Sequence, residues 1–243
     1  MSVDWSFHLL VSPRTLTVAR LASLFDAAVD LGFQPSRLAS GEITIMSGDG
    51  TGSLLFSTPR TAVEWLGVED GLADLNFRDV GTHVDLSVHR CTGILPIEME
   101  GLPDEPHFDI CTLRISGSDL TRPHREDLWA ALEELLARAV ERLGVMFMYG
   151  MDDDSLETQI PFLCIHKRVL ADRLPPALGW LVAAPPDGGI SRDIRVLAAT
   201  LDRPVTSIGG VTALKVTDVP WDATPRLIGS AAETWRSISD RED

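Results

Sequence analysis

The chain has 243 residues, 44% hydrophobic and 23% charged, with 36 Asp and Glu against 21 Lys and Arg and a formal net charge of −15 at pH 7. This length and balance support a packed core and exclude wholesale disorder. The charge, with no basic stripe anywhere, argues against nucleic acid and anionic lipid, and it would steer a basic protein partner from a distance.

Trp5 to Val11 reads as a strand, and Ser12-Pro13 supplies a cap and a first-turn proline for a helix. Leu16, Leu21, Leu24, Phe25 and Ala28 mark the buried side of that helix, and Gly32 its end. Glu42 to Met46 and Ser53 to Ser57 read as a hairpin around Gly48-Asp49-Gly50-Thr51-Gly52, a run that precedes a strand and not a helix and so is a turn rather than a phosphate loop. Thr58-Pro59 repeats the cap signal for a short helix ended by Gly67, and His83 to Arg90 alternates as another strand.

Pro96, Pro103 and Pro106 mark a connector, after which the pattern restarts. Asp109 to Ser116 is a strand, and Glu126 to Leu143 is the clearest helix, with Leu128, Leu132, Leu135, Leu136, Ala139 and Leu143 on one face and Gly144 as its stop. Strands at Val145 to Tyr149 and Leu178 to Ala184 flank an irregular or helical stretch, Val205 to Ile208 and Val211 to Val216 form a hairpin, and Thr224-Pro225 opens a last helix with Leu227, Ile228 and Trp235. The expected class is α+β: two successive sheet-plus-helix units, mostly antiparallel and covered by helices, whose shared element order suggests a pseudo-repeat. The first unit spans 1–92, the connector 93–107, the second unit 108–238 and a frayed tail 239–243, an arrangement compatible with two domains or with packing as one.

Four features could carry chemistry. Asp152, Asp153, Asp154 and Glu157 follow an apolar strand, where functional loops often sit, and are the candidate partner-binding residues; their spacing does not match a calcium loop, and helix capping or simple solvation also accounts for them. His83, Asp85, Ser87 and His89 share one strand face, yet the two histidines lie about 20 Å apart, too far to ligate one metal, so a solvated strand face is the simpler reading. His166-Lys167-Arg168 is a short basic cluster, read as a solvated face. Cys91, Cys111 and Cys164, without any C-x-x-C, read as reduced core residues. No catalytic residue, metal or cofactor is expected. The start Met1-Ser2-Val3-Asp4-Trp5 lacks the pattern of a signal peptide and no window is apolar enough to span a membrane, so a cytoplasmic location is expected.

Three stretches of the second half, Ala139-Val140-Glu141-Arg142-Leu143-Gly144-Val145-Met146-Phe147-Met148-Tyr149-Gly150, Leu178-Gly179-Trp180-Leu181-Val182, and Gly209-Gly210-Val211-Thr212-Ala213-Leu214 before Trp221, resemble immunity proteins of bacterial polymorphic-toxin and type VI secretion systems. The resemblance implies a non-enzymatic cytoplasmic protein that binds and neutralises a cognate toxin, and the acidic charge suits a basic one. Two alternatives stand beside it: a metal-dependent or carboxylate/histidine hydrolase built on His83, Asp85 and the Asp152 to Glu157 run, and a structural or assembly subunit of a larger bacterial complex.

Overall fold

The computed structural model of the chain describes residues 4–48, 50–78, 81–90, 108–152, 168–175 and 179–239. The connector at 93–107 lies outside them, as do Cys91, Cys164, His166, Lys167, Asp153, Asp154 and Glu157.

The strands are β1 (Trp5–Val11), β2 (Phe33–Pro35), β3 (Ile43–Ser47), β4 (Ser53–Phe56), β5 (Gly71–Phe77), β6 (His83–Arg90), β7 (Asp109–Ile115), β8 (Val145–Asp152), β9 (Leu181–Ala184), β10 (Thr206–Ile208) and β11 (Val211–Lys215). The helices are α1 (Val18–Asp30), α2 (Pro59–Leu66), α3 (Arg125–Leu143), α4 (Gly189–Thr200) and α5 (Pro225–Ser239). The strands form one sheet in the order β10-β11-β9-β8-β1-β7-β6-β5-β3-β4, with β2 also on β5, and every described pairing is antiparallel. The α+β class is therefore as expected. Strands from both halves of the chain share this sheet, because β1 lies between β7 and β8 and pairs with each along its whole length.

Alternation sends Phe7, Leu9, Val84, Leu86, Val88, Leu113 and Ile115 to one face, where α1, α2 and α3 bury them. The opposite face is covered differently. Only its β1–β8–β9–β11 part lies under described helices, with Leu10, Phe147, Tyr149, Val182 and Leu214 packed against Ile190, Ile194 and Leu197 of α4 and Trp235 of α5. Around Trp180, the rings of Trp5, Phe7 and Trp129 stand at 6.3, 6.3 and 5.4 Å, each close to edge-on. Gly150 on β8 makes room for them, since a Cβ there would stand 2.7 Å from the Phe7 ring.

Several elements follow the local signals. Thr58 caps α2 by accepting from Thr61 N at 3.2 Å, with Pro59 in the first turn. Gly144 ends α3 in the left-handed region at φ 67°. The Gly48–Gly52 run is a hairpin turn, as Ser47 N reaches Gly52 O at 2.9 Å. Helix α1 starts later than Ser12-Pro13 predicts: residues 12–15 close a separate turn, Arg14 sits at φ 63° and cannot continue a helix, and Thr17 caps instead.

Three elements were not anticipated: β2, β5 and α4. Strand β5 alternates correctly, but Asp74 and Asn76 at its outward positions read as turn residues. Helix α4 has no capping side chain of its own at Gly188. Its cap comes from Asp172, 17 residues back, whose carboxylate accepts from Gly189 N at 2.5 Å and Ile190 N at 3.2 Å. Polar groups also interrupt its buried stripe. Ser191 donates to Pro186 O at 2.9 Å, and buried Asp193 accepts from Leu174 N at 3.0 Å.

Replacing Asp172 by Ala should cost about 1–2 kcal/mol, the range for losing a helix cap, and shift the urea midpoint without changing the m-value. Gly189→Ala should destabilise as well, because a Cβ there would stand 2.3 Å from the Asp172 carbonyl oxygen.

Candidate functional face of the sheet

The face away from α1–α3 can be assembled from register alone. One row runs Asp74, Asp85, Arg114, Ser6 and Met151 across β5, β6, β7, β1 and β8. The next runs Met46, Leu72, Ser87, Thr112, His8, Tyr149, Val182 and Leu214 across β3 to β11. Polar residues occupy the part toward β6 and apolar ones the part under α4 and α5.

On β6 the alternation is as expected, but the polar face is only partly solvated, since Ser87 is buried and Asp85 half-buried. Val84, Leu86 and Val88 are fully buried on the helix side, and His83 and His89 are exposed on the other. His83 Nδ1 lies 2.9 Å from both oxygens of Asp74. Asp85 stands directly opposite Asp74, a like-charge cross-strand pair that weakens a sheet. Burial first and then Asp74 push the Asp85 carboxyl above its usual range, with Arg114 and His83 pulling it back and Asp4 pushing it further up. Arg114 donates to Asp4 at 2.8 Å.

Farther along, β1 and β8 bring His8 against Tyr149, with ring centroids 4.7 Å apart. His8 Nδ1 is 2.9 Å from Thr112 Oγ1. His8 Nε2 and the Tyr149 hydroxyl are buried without a hydrogen-bond partner among the described residues. Burial, with a smaller push from His89, takes the imidazole down to about 4, and burial raises the phenol well above its ordinary value. No local motif signals this pair, since 141 positions separate its members and only the register joins them.

Asp152 is the last residue of β8, only 4% exposed, and is paired with Trp5 on the α1–α3 side of the sheet. It therefore faces away from Asp85, three strand spacings or about 14 Å along the sheet. The structure does not bring Asp152 together with His83 and Asp85. Among the described residues no group of three or more His, Cys, Asp or Glu could hold a metal ion, and no helix is long and apolar enough to cross a membrane. Cys111 is buried and its thiol is pushed up to about 12, which keeps it protonated and inert. A hollow of about 350 Å³ opens beside the first turn of α3, lined by Thr82, Asp119, Arg122 and His124 among others. Arg122 is already engaged there, donating to Gly81 O at 2.8 Å and paired with Asp119 at 3.1 Å.

His8 titrates below the ordinary value of about 6.5, so the unfolded chain takes up the proton first. The stability tied to a neutral His8 should be complete above pH 6.5 and should be lost as pH falls toward about 4, by roughly 3 kcal/mol in all. Urea titrations of wild type and His8→Gln across this interval check it, the variant being flatter. Tyr149→Phe removes an unpartnered hydroxyl and should leave stability unchanged or raise it by about 1 kcal/mol. A clear loss would reveal a partner for that oxygen.

No family model matches this chain, and no curated protein matches it. A solved structure, that of the Pseudomonas aeruginosa T6SS protein PA0821, is similar to it at 12% identity and a TM-score of 0.44, over 96% of this chain and 73% of that one.

Proposed function

We propose that the chain works by binding another protein, as a cytoplasmic immunity protein that neutralises a basic cognate toxin, and that it catalyses nothing. The observation that carries this reading is where the positive charges go. Arg20 donates to Leu143 O at 2.7 Å, Arg142 to Ser23 O, and Arg90 to Leu66 O at 2.5 Å, each joining one element to another. Arg203 pairs with Asp218 at 2.6 Å, Arg173 with Asp193 at 3.3 Å, and Lys215 with Glu133. These six cations serve the fold. Asp26, Asp127 and Glu141 stand exposed on α1 and α3 without an ion-pair partner among the described residues. A surface of this kind attracts a basic protein over several ångströms and raises its association rate, which is what a toxin antagonist requires. The resemblance of 139–150, 178–182 and 209–214 to immunity proteins points the same way.

Within this reading Asp153, Asp154 and Glu157 belong to the interface, and Asp152, being buried, serves the end of β8 instead. The test is a pull-down from the native host, identification of the partner, and binding kinetics at low and high salt. Asp153→Asn, Asp154→Asn and Glu157→Gln together should lower kon and flatten its salt dependence, with a smaller effect on koff. A partner whose activity is not inhibited, or no partner at all, would sink the immunity reading.

A further inference from the structure

The two end strands of the sheet are built differently. At one end, β10 follows Pro204 closely and its turn lies against α3, where a Cβ on Gly209 would stand 2.2 Å from the Ala137 carbonyl oxygen. Proline and cover are common protections of an edge strand. At the other end β4 has neither. Ser53, Leu54 and Leu55 are all exposed, and no charged residue stands between Asp49 and Arg60. The strand also lacks a bulge, since its register on β3 runs without a shift.

Hydrogen bonds around the β3–β4 hairpin fix which backbone groups face out. Ser47 N donates to Gly52 O at 2.9 Å and Gly48 N to Asp70 O at 2.9 Å, so odd-numbered residues of β3 bond toward β4 and even-numbered ones toward β5. Ile45 lies opposite Leu54 and Ile43 opposite Phe56, so Leu54 and Phe56 turn their backbone inward. Ser53, Leu55 and Ser57 therefore present theirs to the outer edge, where no described residue meets them. Both faces of the strand are apolar as well. Leu54 and Phe56 share the α1–α3 side with Ile45, Phe56 standing 6.0 Å from Trp65, and Leu55 lies on the other side, diagonal to Met46. A strand that fits this edge must be uncharged and apolar on both faces, and β4 is itself such a strand.

We propose that β4 pairs with the β4 of a second copy of the chain, antiparallel about Leu55, joining two sheets into one in a twofold dimer. Centred there, Leu55 stands opposite Leu55 of the partner subunit and Ser53 opposite Ser57 of the partner subunit, each pair exchanging its outward N–H and C=O groups. Leu54 falls opposite Phe56 of the partner subunit on the α1–α3 face. A strand this short makes a small interface, so the dimer is weak. Charge sets when it forms. With −15 on each copy, repulsion reaches over about 30 Å at 0.01 M salt but only about 8 Å at 0.15 M, whereas the edge bonds act in contact across uncharged chain. Salt therefore strengthens this association, the reverse of its effect on a basic partner.

Sedimentation velocity of the full chain at neutral pH, over rising protein concentration at about 0.01 M and about 0.15 M salt, reads the dimer. The expected result is a monomer at low salt and a concentration-dependent dimer at the higher. Leu55→Lys should weaken the dimer about tenfold or more, even though it lowers the net negative charge, because it sets two like charges directly opposite each other. In a Cys91→Ser/Cys164→Ser background, Leu55→Cys should give an interchain disulfide on oxidation, since hydrogen-bonded partners stand about 5.5 Å apart at Cα. Leu54→Cys, displaced by two positions from its own copy, should give none. A monomer at both salts, a dimer indifferent to Leu55→Lys, or equal cross-linking from both cysteines overturns the pairing. The immunity reading is decided separately, by recovery and inhibition of a toxin.

Discussion

The architecture depends on β1 being held on both sides. Its seven residues pair with β7 along one edge and β8 along the other, in the middle of the sheet, so the first strand of the chain is among its most central. Phe7 fills the space that Gly150 leaves open and stands close to Trp129 and Trp180, binding the sheet to α3. The same strand presents His8 and Leu10 to the other side. One alternating heptapeptide thereby anchors both layers of the core, and its register aligns everything on the two faces.

That register separates what local sequence reveals from what it hides. Caps and stops such as Thr58-Pro59 and Gly144 act within one turn of the chain, and they stand where the residues indicate. The cap of α4 is invisible to such reading because Asp172 reaches it across 17 positions. Strand β5 is obscured because Asp74 and Asn76, which suit turns, occupy outward positions of a strand. The α+β class and its antiparallel character survive these omissions because hairpin signals are short-range. The single sheet does not, since nothing local says that β1 leaves its own hairpins to pair with β7 and β8.

The candidate site divides the same way. Asp85 and its alternating neighbours are legible as one face of β6, but the carboxylate opposite is supplied by β5 and needs the pairing to be known. The His8–Tyr149 contact is wholly a product of register. Asp152 teaches the converse lesson. A run of acids after a strand suggests a loop rim, yet β8 extends through Asp152 and turns its side chain under the α1–α3 layer. The apolar run alone ends the strand at Tyr149, three residues early, and an apparent surface charge is an interior one.

Among the described residues the sheet ends at β4, whose outer edge has no strand partner there and which carries Leu54 and Leu55, 42% and 52% exposed. An apolar edge strand of this kind is a template for pairing between copies of the same chain. Mutual repulsion is what keeps two such edges apart, and the formal charge of −15 supplies it at neutral pH. The sequence isoelectric point is about 4.7, so that repulsion fades in mildly acidic solution while the edge stays as sticky as before. The acidic composition thus acts as a colloidal guard on β4, and acidification removes the guard over the same range in which the buried, neutral His8 costs the fold stability.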